Sequence, residues 1–175
     1  MYRKLLILLT VFISSCTGPE ERRRESTFFD IKGFFELEAK RLTINRTLVN
    51  KSVKQNDELE IKKGISVDWE NELALFIDSD INKAAWKDSY KVKEDSFEVS
   101  YLAIDTNLRT RFLSIKKDKQ GRAVYFRIKN MTHSKLYESS EELTYIPDSV
   151  YSINKNQSVR FLGNNNYQIS GKVMK

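Results

Sequence analysis

From Tyr90 to the end of the chain the apolar period is two residues. Phe97, Val99, Tyr101 and Ala103 alternate with Glu98, Ser100, Leu102 and Ile104. Val124, Phe126 and Ile128 alternate with Tyr125, Arg127 and Lys129, and Tyr167, Ile169 and Val173 with Gln168, Ser170 and Lys172. Successive side chains of a strand point to opposite faces, so this pattern reads as strands with one face in a core and one in water. Turn chemistry punctuates the runs at Asp105-Thr106-Asn107, Asp118 to Gly121, Pro147-Asp148-Ser149 and Gly163 to Asn166. No long helical pattern separates them, which predicts an antiparallel meander covered on one side only.

Upstream the period changes. Phe28, Ile31, Phe35, Ala39 and Leu42 fall on one face of a helix over residues 27–42, with Ser26 as its N-cap. Gly33 weakens that helix by about 1 kcal/mol relative to Ala. Residues 44–63 read as a hairpin turning at Gln55-Asn56-Asp57. Residues 67–78 read as a second helix with Trp69, Leu73, Phe76 and Ile77 on one side, and 81–87 as a helical turn around Trp86. Both tryptophans are expected to be largely buried. The fold class these elements imply is α+β, with N-terminal helices packed on a curved, mostly antiparallel sheet.

Composition bounds the function. At 175 residues, 40% apolar and 31% charged, the chain is too apolar for disorder and sized for one domain. One Cys excludes an internal disulfide framework and a multi-Cys zinc site, and one His removes most histidine chemistry. No cofactor is implied.

The lone Cys has a telling position. Arg3 and Lys4 precede an apolar run, Leu5 to Ile13, that is far short of the ~20 residues needed to span a bilayer. The run ends in Ile13-Ser14-Ser15-Cys16, which resembles a bacterial lipobox. Residues 1–15 are then a signal peptide, Cys16 is the lipidated N-terminus of the mature chain, 16–26 is a polar tether, and 27–175 is a single α+β domain. The resemblance implies export and a palmitate-bearing membrane anchor. Thr17, rather than Asp, after the Cys implies the outer membrane if the source is Gram-negative. Removing residues 1–15 takes two cations and no acid, so the charge falls from +6 to +4. For an exported protein this argues against nucleic acid as a partner.

Other candidate sites are thin. His133 lies in a polar loop with no GxSxG elbow to pair it with a nucleophile. Asp78-Ser79-Asp80-Ile81-Asn82 opens like a calcium loop, but Lys83 and Ser89 stand where Gly and Glu are needed. A helix end followed by an N-cap at Asp80 is the simpler reading. Glu141-Glu142 reads as a solvated pair. The least ordinary feature is the hairpin 109–129, where Arg109, Arg111, Lys116, Lys117, Lys119, Arg122, Arg127 and Lys129 face one acid, Asp118, a net of +7. Arg127 and Lys129, out of phase with Phe126 and Ile128, are expected to project to solvent, toward an anionic lipid or protein surface.

The expectation is therefore a non-catalytic, membrane-anchored envelope lipoprotein that binds a partner or an apolar ligand. A lipid-carrying version would resemble the half-barrel lipoprotein-sorting proteins in architecture alone. The alternatives are an envelope hydrolase with a carboxylate pair not located in the sequence, and a structural or assembly subunit. The first element of this reading has a direct check: Cys16→Ser should abolish fatty-acid labelling and cleavage at that position, and palmitate incorporation that survives the substitution would refute it.

Overall fold

The computed structural model describes residues 27–161 and 163–174. The signal peptide, the lipobox and the tether proposed for residues 1–26 lie outside the described residues.

The fold is a nine-stranded antiparallel sheet with helices on one face. After helix α1 (Ile31–Ile44) comes the hairpin β1 (Val49–Gln55) and β2 (Glu58–Ile65). Two single-turn helices follow, α2 (Trp69–Glu72) and α3 (Ala74–Ile77), then a 3-10 turn at Ala84–Trp86. The rest of the chain is β3 (Tyr90–Glu94), β4 (Glu98–Ala103), β5 (Thr110–Lys117), β6 (Ala123–His133), β7 (Tyr137–Ile146), β8 (Val150–Val159) and β9 (Gly163–Val173). In space the order is β2-β1-β9-β8-β7-β6-β5-β4-β3. The meander from β3 to β9 is as the alternation implies. The early hairpin closes on its last strand, Val49 facing Val173 and Val53 facing Ile169.

The α+β class holds, but the helices do not form an N-terminal layer, because the β1–β2 hairpin separates α1 from α2 and α3. The first helix starts at Ile31 rather than residue 27, and its cap is Asp30, whose Oδ1 accepts from the Gly33 N–H at 2.9 Å. Gly33 follows from that cap, since a Cβ there would lie 2.3 Å from Asp30 Oδ2. Ile31, Phe35, Ala39 and Leu42 are all buried, as the helical spacing requires, and Phe28 is buried too although it precedes the helix. The predicted second helix is broken at Leu73, whose φ of −97° and ψ of 7° leave the helical region. Gly163 to Asn166, expected as a turn, opens β9 instead. Those asparagines are carried by pairing with Ser158, Gln157 and Asn156 on β8.

The core is aromatic. The Phe35 ring lies 5.1 Å from both Phe126 and Tyr145 and 4.8 Å from Phe76, which ties α1, α3, β6 and β7 together. Phe28 sets its edge against Tyr90 and Tyr101. Trp69 is 1% exposed and packs on Tyr151. Trp86 departs from expectation: it is half-buried under the Lys83 ammonium, 4.3 Å from the ring, beside exposed Ala84 and Ala85.

The tightest point is Gly171 on β9. A Cβ there would lie 2.1 Å from Tyr151 Cε1 of the neighbouring strand. Tyr151 is fully buried and cannot swing away. Gly171→Ala should therefore destabilise the domain by about 1–3 kcal/mol, the usual range for overpacking. Urea unfolding midpoints indistinguishable from the parent would show that the ring is not locked there.

Candidate functional site

Alternation sorts the sheet residues into an inner face under the helices and an outer face opposite. Two polar arrangements stand out, one on each.

On the inner face a buried carboxylate sits at the edge of the helix layer. Glu141 on β7 faces Asn130 on β6 and Lys155 on β8. Glu141 and Glu142, expected as a solvated pair, separate: Glu141 is only 8% exposed and Glu142 points the other way. Arg109 Nη2 donates to Glu141 Oε2 at 2.7 Å, and its Nη1 donates to the Asp78 carbonyl at the end of α3. Lys155 Nζ lies 3.2 Å from Oε1. Asn130 Nδ2 donates to Oε2 at 3.3 Å and to Ser79 Oγ at 2.9 Å. Two buried atoms here have no partner among the described residues, Asn130 Oδ1 and Ser139 Oγ. The cue is in the sequence: Glu141 is in phase with Leu143 and Tyr145, so alternation along β7 puts it on the face those two bury.

Two further inner-face carboxylates are paired in the same manner. Tyr145 Oη donates to Glu38 Oε1 at 2.6 Å while Arg41 donates to both oxygens of that carboxylate. Lys51 Nζ lies 2.6 Å from Glu72, which also accepts from Tyr151. Burial, reinforced by those carboxylates, pushes both tyrosine hydroxyls far above their ordinary range. They stay protonated and donate. Each buried carboxylate is thus engaged by several donors.

The eight cations of the basic hairpin do not form one patch. Arg109 turns inward to Glu141. Lys117 pairs with Glu94, Arg122 with Asp118, and Arg127 with Glu142. Arg111 donates to the Asp105 carbonyl. Lys116, Lys119 and Lys129 are exposed, with no carboxylate within 4 Å among the described residues. Arg127 and Lys129 do project to solvent, as their phase requires.

Register brings other residues to the cations that the sequence does not suggest. Lys91, Leu102, Phe112, Lys129 and Glu142 face one another in a row across β3 to β7 on the outer face. A second row crosses the whole sheet: Lys93, Ser100, Ser114, Arg127, Thr144, Ser152, Ser170, Ser52 and Ile61. The outer face therefore has a basic end with exposed apolar residues, Leu102 at 53% among them, and a serine- and asparagine-lined end. Beside Lys116 an open depression of about 580 Å³ is lined by Phe97, Val124, Lys117, Glu98, Asp95 and Ser96.

The other candidates resolve into structural roles. In the segment read against a calcium loop, Asn82 Oδ1 accepts from the Phe28 N–H, Asn82 Nδ2 donates to the Phe29 carbonyl, and Asp80 Oδ1 accepts from the Asn82 N–H, while the helical turn expected to start at Asp80 starts only after Lys83. His133 is exposed, with Nδ1 4.0 Å from Glu138. No group of three or more metal-ligating side chains occurs among the described residues. Comparison with protein-family models, curated proteins and solved structures returned no match.

The Glu141 cluster makes a paired forecast. Ser139→Ala removes a hydroxyl that has no partner, so stability should change by no more than about 0.5 kcal/mol, or rise. Glu141→Ala leaves Arg109 and Lys155 facing each other. Breaking a buried pair costs about 3–5 kcal/mol, and partial exposure of both cations brings this to about 2 kcal/mol. Urea titration of the two variants checks both, and equal destabilisation would contradict the pairing described.

Proposed function

We propose that this protein is a membrane-tethered, non-catalytic envelope lipoprotein whose domain docks the basic end of its exposed sheet face onto an anionic membrane surface. One observation carries the reading: Lys91, Lys93, Lys116, Arg127 and Lys129 share the outer face with exposed Leu102 and half-buried Phe112. Cations interleaved with apolar side chains suit the headgroup region of a bilayer, where charge is attracted and small apolar groups insert. The lipobox-like Ile13-Ser14-Ser15-Cys16 would hold the domain at such a surface. Carriage of an apolar ligand is less well supported, since aromatic rings fill the space between helices and sheet. A hydrolase is less well supported too, since Glu38, Glu72 and Glu141 are each occupied by Tyr, Arg, Lys or Asn donors.

The experiment compares residues 17–175 on neutral phosphatidylcholine vesicles and on vesicles containing phosphatidylglycerol, at low and physiological salt. Binding should favour the anionic vesicles and weaken with salt, because exposed attraction is screened over ~8 Å at physiological ionic strength. Each cation near an anionic surface is worth about 1 kcal/mol. Reversing Lys116 and Lys129 to Glu should then weaken binding by about thirty-fold or more. Equal binding to both vesicle types, or no response to the reversal, would exclude this docking face.

A further inference from the structure

Among the described residues the open sheet has two free edges, β2 and β3, and they differ in what they can pair with. Seven of the eight residues of β2 are exposed, and Leu59 and Ile61 keep 60% and 59% of their surface in water. An exposed edge strand with apolar residues is a template for another strand. We infer that β2 pairs with β2 of a second copy of this chain, antiparallel, about a two-fold axis through Ile61.

The backbone sets the register. A two-residue turn, Asn56-Asp57, joins β1 to β2 and closes on the Gln55–Glu58 pair, whose backbone groups face each other. Opposed residues of an antiparallel pair alternate between hydrogen-bonded and non-hydrogen-bonded. The N–H and C=O of Leu59 and Ile61 therefore point away from β1, toward the free edge. Centred on Ile61, the two strands exchange both backbone hydrogen bonds between Ile61 and the partner's Ile61.

The side chains fit the same register and no neighbouring one. Glu60 then faces the partner's Lys62, and Lys62 the partner's Glu60, in the close non-hydrogen-bonded positions. Centring on Glu60 or on Lys62 instead sets like charges directly opposite, which destabilises a sheet. On the other face the two Ile61 side chains meet. Beyond Lys62 the strand is bulged: the register slips between the Val49–Ile65 and Lys51–Lys62 pairs, and Gly64 takes a φ of 61°. That leaves a short pairing run with one favoured centre. The β3 edge has no such solution, since centring on Lys91, Val92 or Lys93 opposes lysine to lysine in every case.

A two-fold axis relating antiparallel strands runs perpendicular to the sheet. Both copies therefore keep their outer faces on the same side. The pairing does not rest on the membrane reading.

The test uses the full-length chain produced in bacteria and crosslinked in whole-cell lysate, so that it reads the dimer whether or not the chain is membrane-bound, with the wild type, whose only cysteine is Cys16, setting the background. Under mild oxidation Ile61→Cys should give a disulfide-linked dimer. Leu59→Cys should not, because the two copies of position 59 would stand about 13 Å apart along the strands, beyond disulfide reach. Glu60→Lys should reduce the Ile61→Cys dimer at least about ten-fold, and adding Lys62→Glu should restore it by re-forming opposite charges. These positions are exposed, so the fold tolerates the changes. Absence of the Ile61→Cys dimer, equal crosslinking at 59 and 61, or failure of the double reversal to restore it would each overturn the proposal.

Discussion

The structure depends on how much sheet one short helix can cover. Nine strands spaced about 4.8 Å apart make a sheet about 38 Å wide. A 14-residue helix is about 21 Å long and about 10 Å across. It cannot hide one face of that sheet. The chain concentrates its largest side chains where α1 does reach, so that Phe34, Phe35, Phe76, Phe126 and Tyr145 fill the centre. Two single turns at Trp69–Ile77 extend the cover toward β8 and β1. Beyond them, toward β2, burial ends except at Ile65, which packs against the core's margin.

A cover this small needs orientation as well as area. Aromatic packing is permissive about rotation, whereas a paired charge is not. Glu38 fixes α1 to β7 through Tyr145, and Glu72 fixes α2 to β8 and β1 through Tyr151 and Lys51. Glu141 fixes β7 to the end of α3 through the forked contacts of Arg109. A buried carboxylate without donors would cost several kcal/mol, so each acid is acceptable only in one arrangement of helix and sheet. The three together define where the helix layer sits, a role distinct from adding net stability.

Much of this was legible in the residues, for reasons that also mark the limit. The strands from β3 to β9 show because their inner face is apolar and their outer face polar, which is the condition under which period two is visible. Ile31, Phe35, Ala39 and Leu42 show because α1 buries a single apolar stripe. The hairpin β1–β2 misleads in detail: Val49 and Val53 face inward, but Leu59 and Ile61 pair with Lys54 and Ser52 and face outward, so its apolar residues do not mark one side. Gly163 to Asn166 misled because Asn and Gly favour turns and strand pairing with β8 overrides that preference. The site was least legible. A count of cations in residues 109–129 gives +7 but is blind to Glu94, Glu141 and Glu142, which arrive from other strands and neutralise three of them. It is equally blind to Lys91 and Lys93, which register brings to the same face.

The outer face has a division of chemistry that burial does not explain. Its side on β8 and β9 presents Ser152, Asn154, Asn156, Ser158, Asn164, Asn166, Gln168 and Ser170, with Val150 and Lys172 at one end. Serine and asparagine are poor strand formers, so their concentration there works against the sheet they stand on. Solubility alone is served by interspersed charges of both signs, which the helix-covered side of the molecule has and this stretch lacks. The stretch offers low relief and a dense set of hydroxyl and amide groups able both to donate and to accept. It continues through strand pairing into the cations of β3 to β6. The docking proposed for the basic end would then have this hydrogen-bonding surface as its neighbour across β7 and β8, turned progressively away from the plane of contact by the twist that strands impose on a sheet.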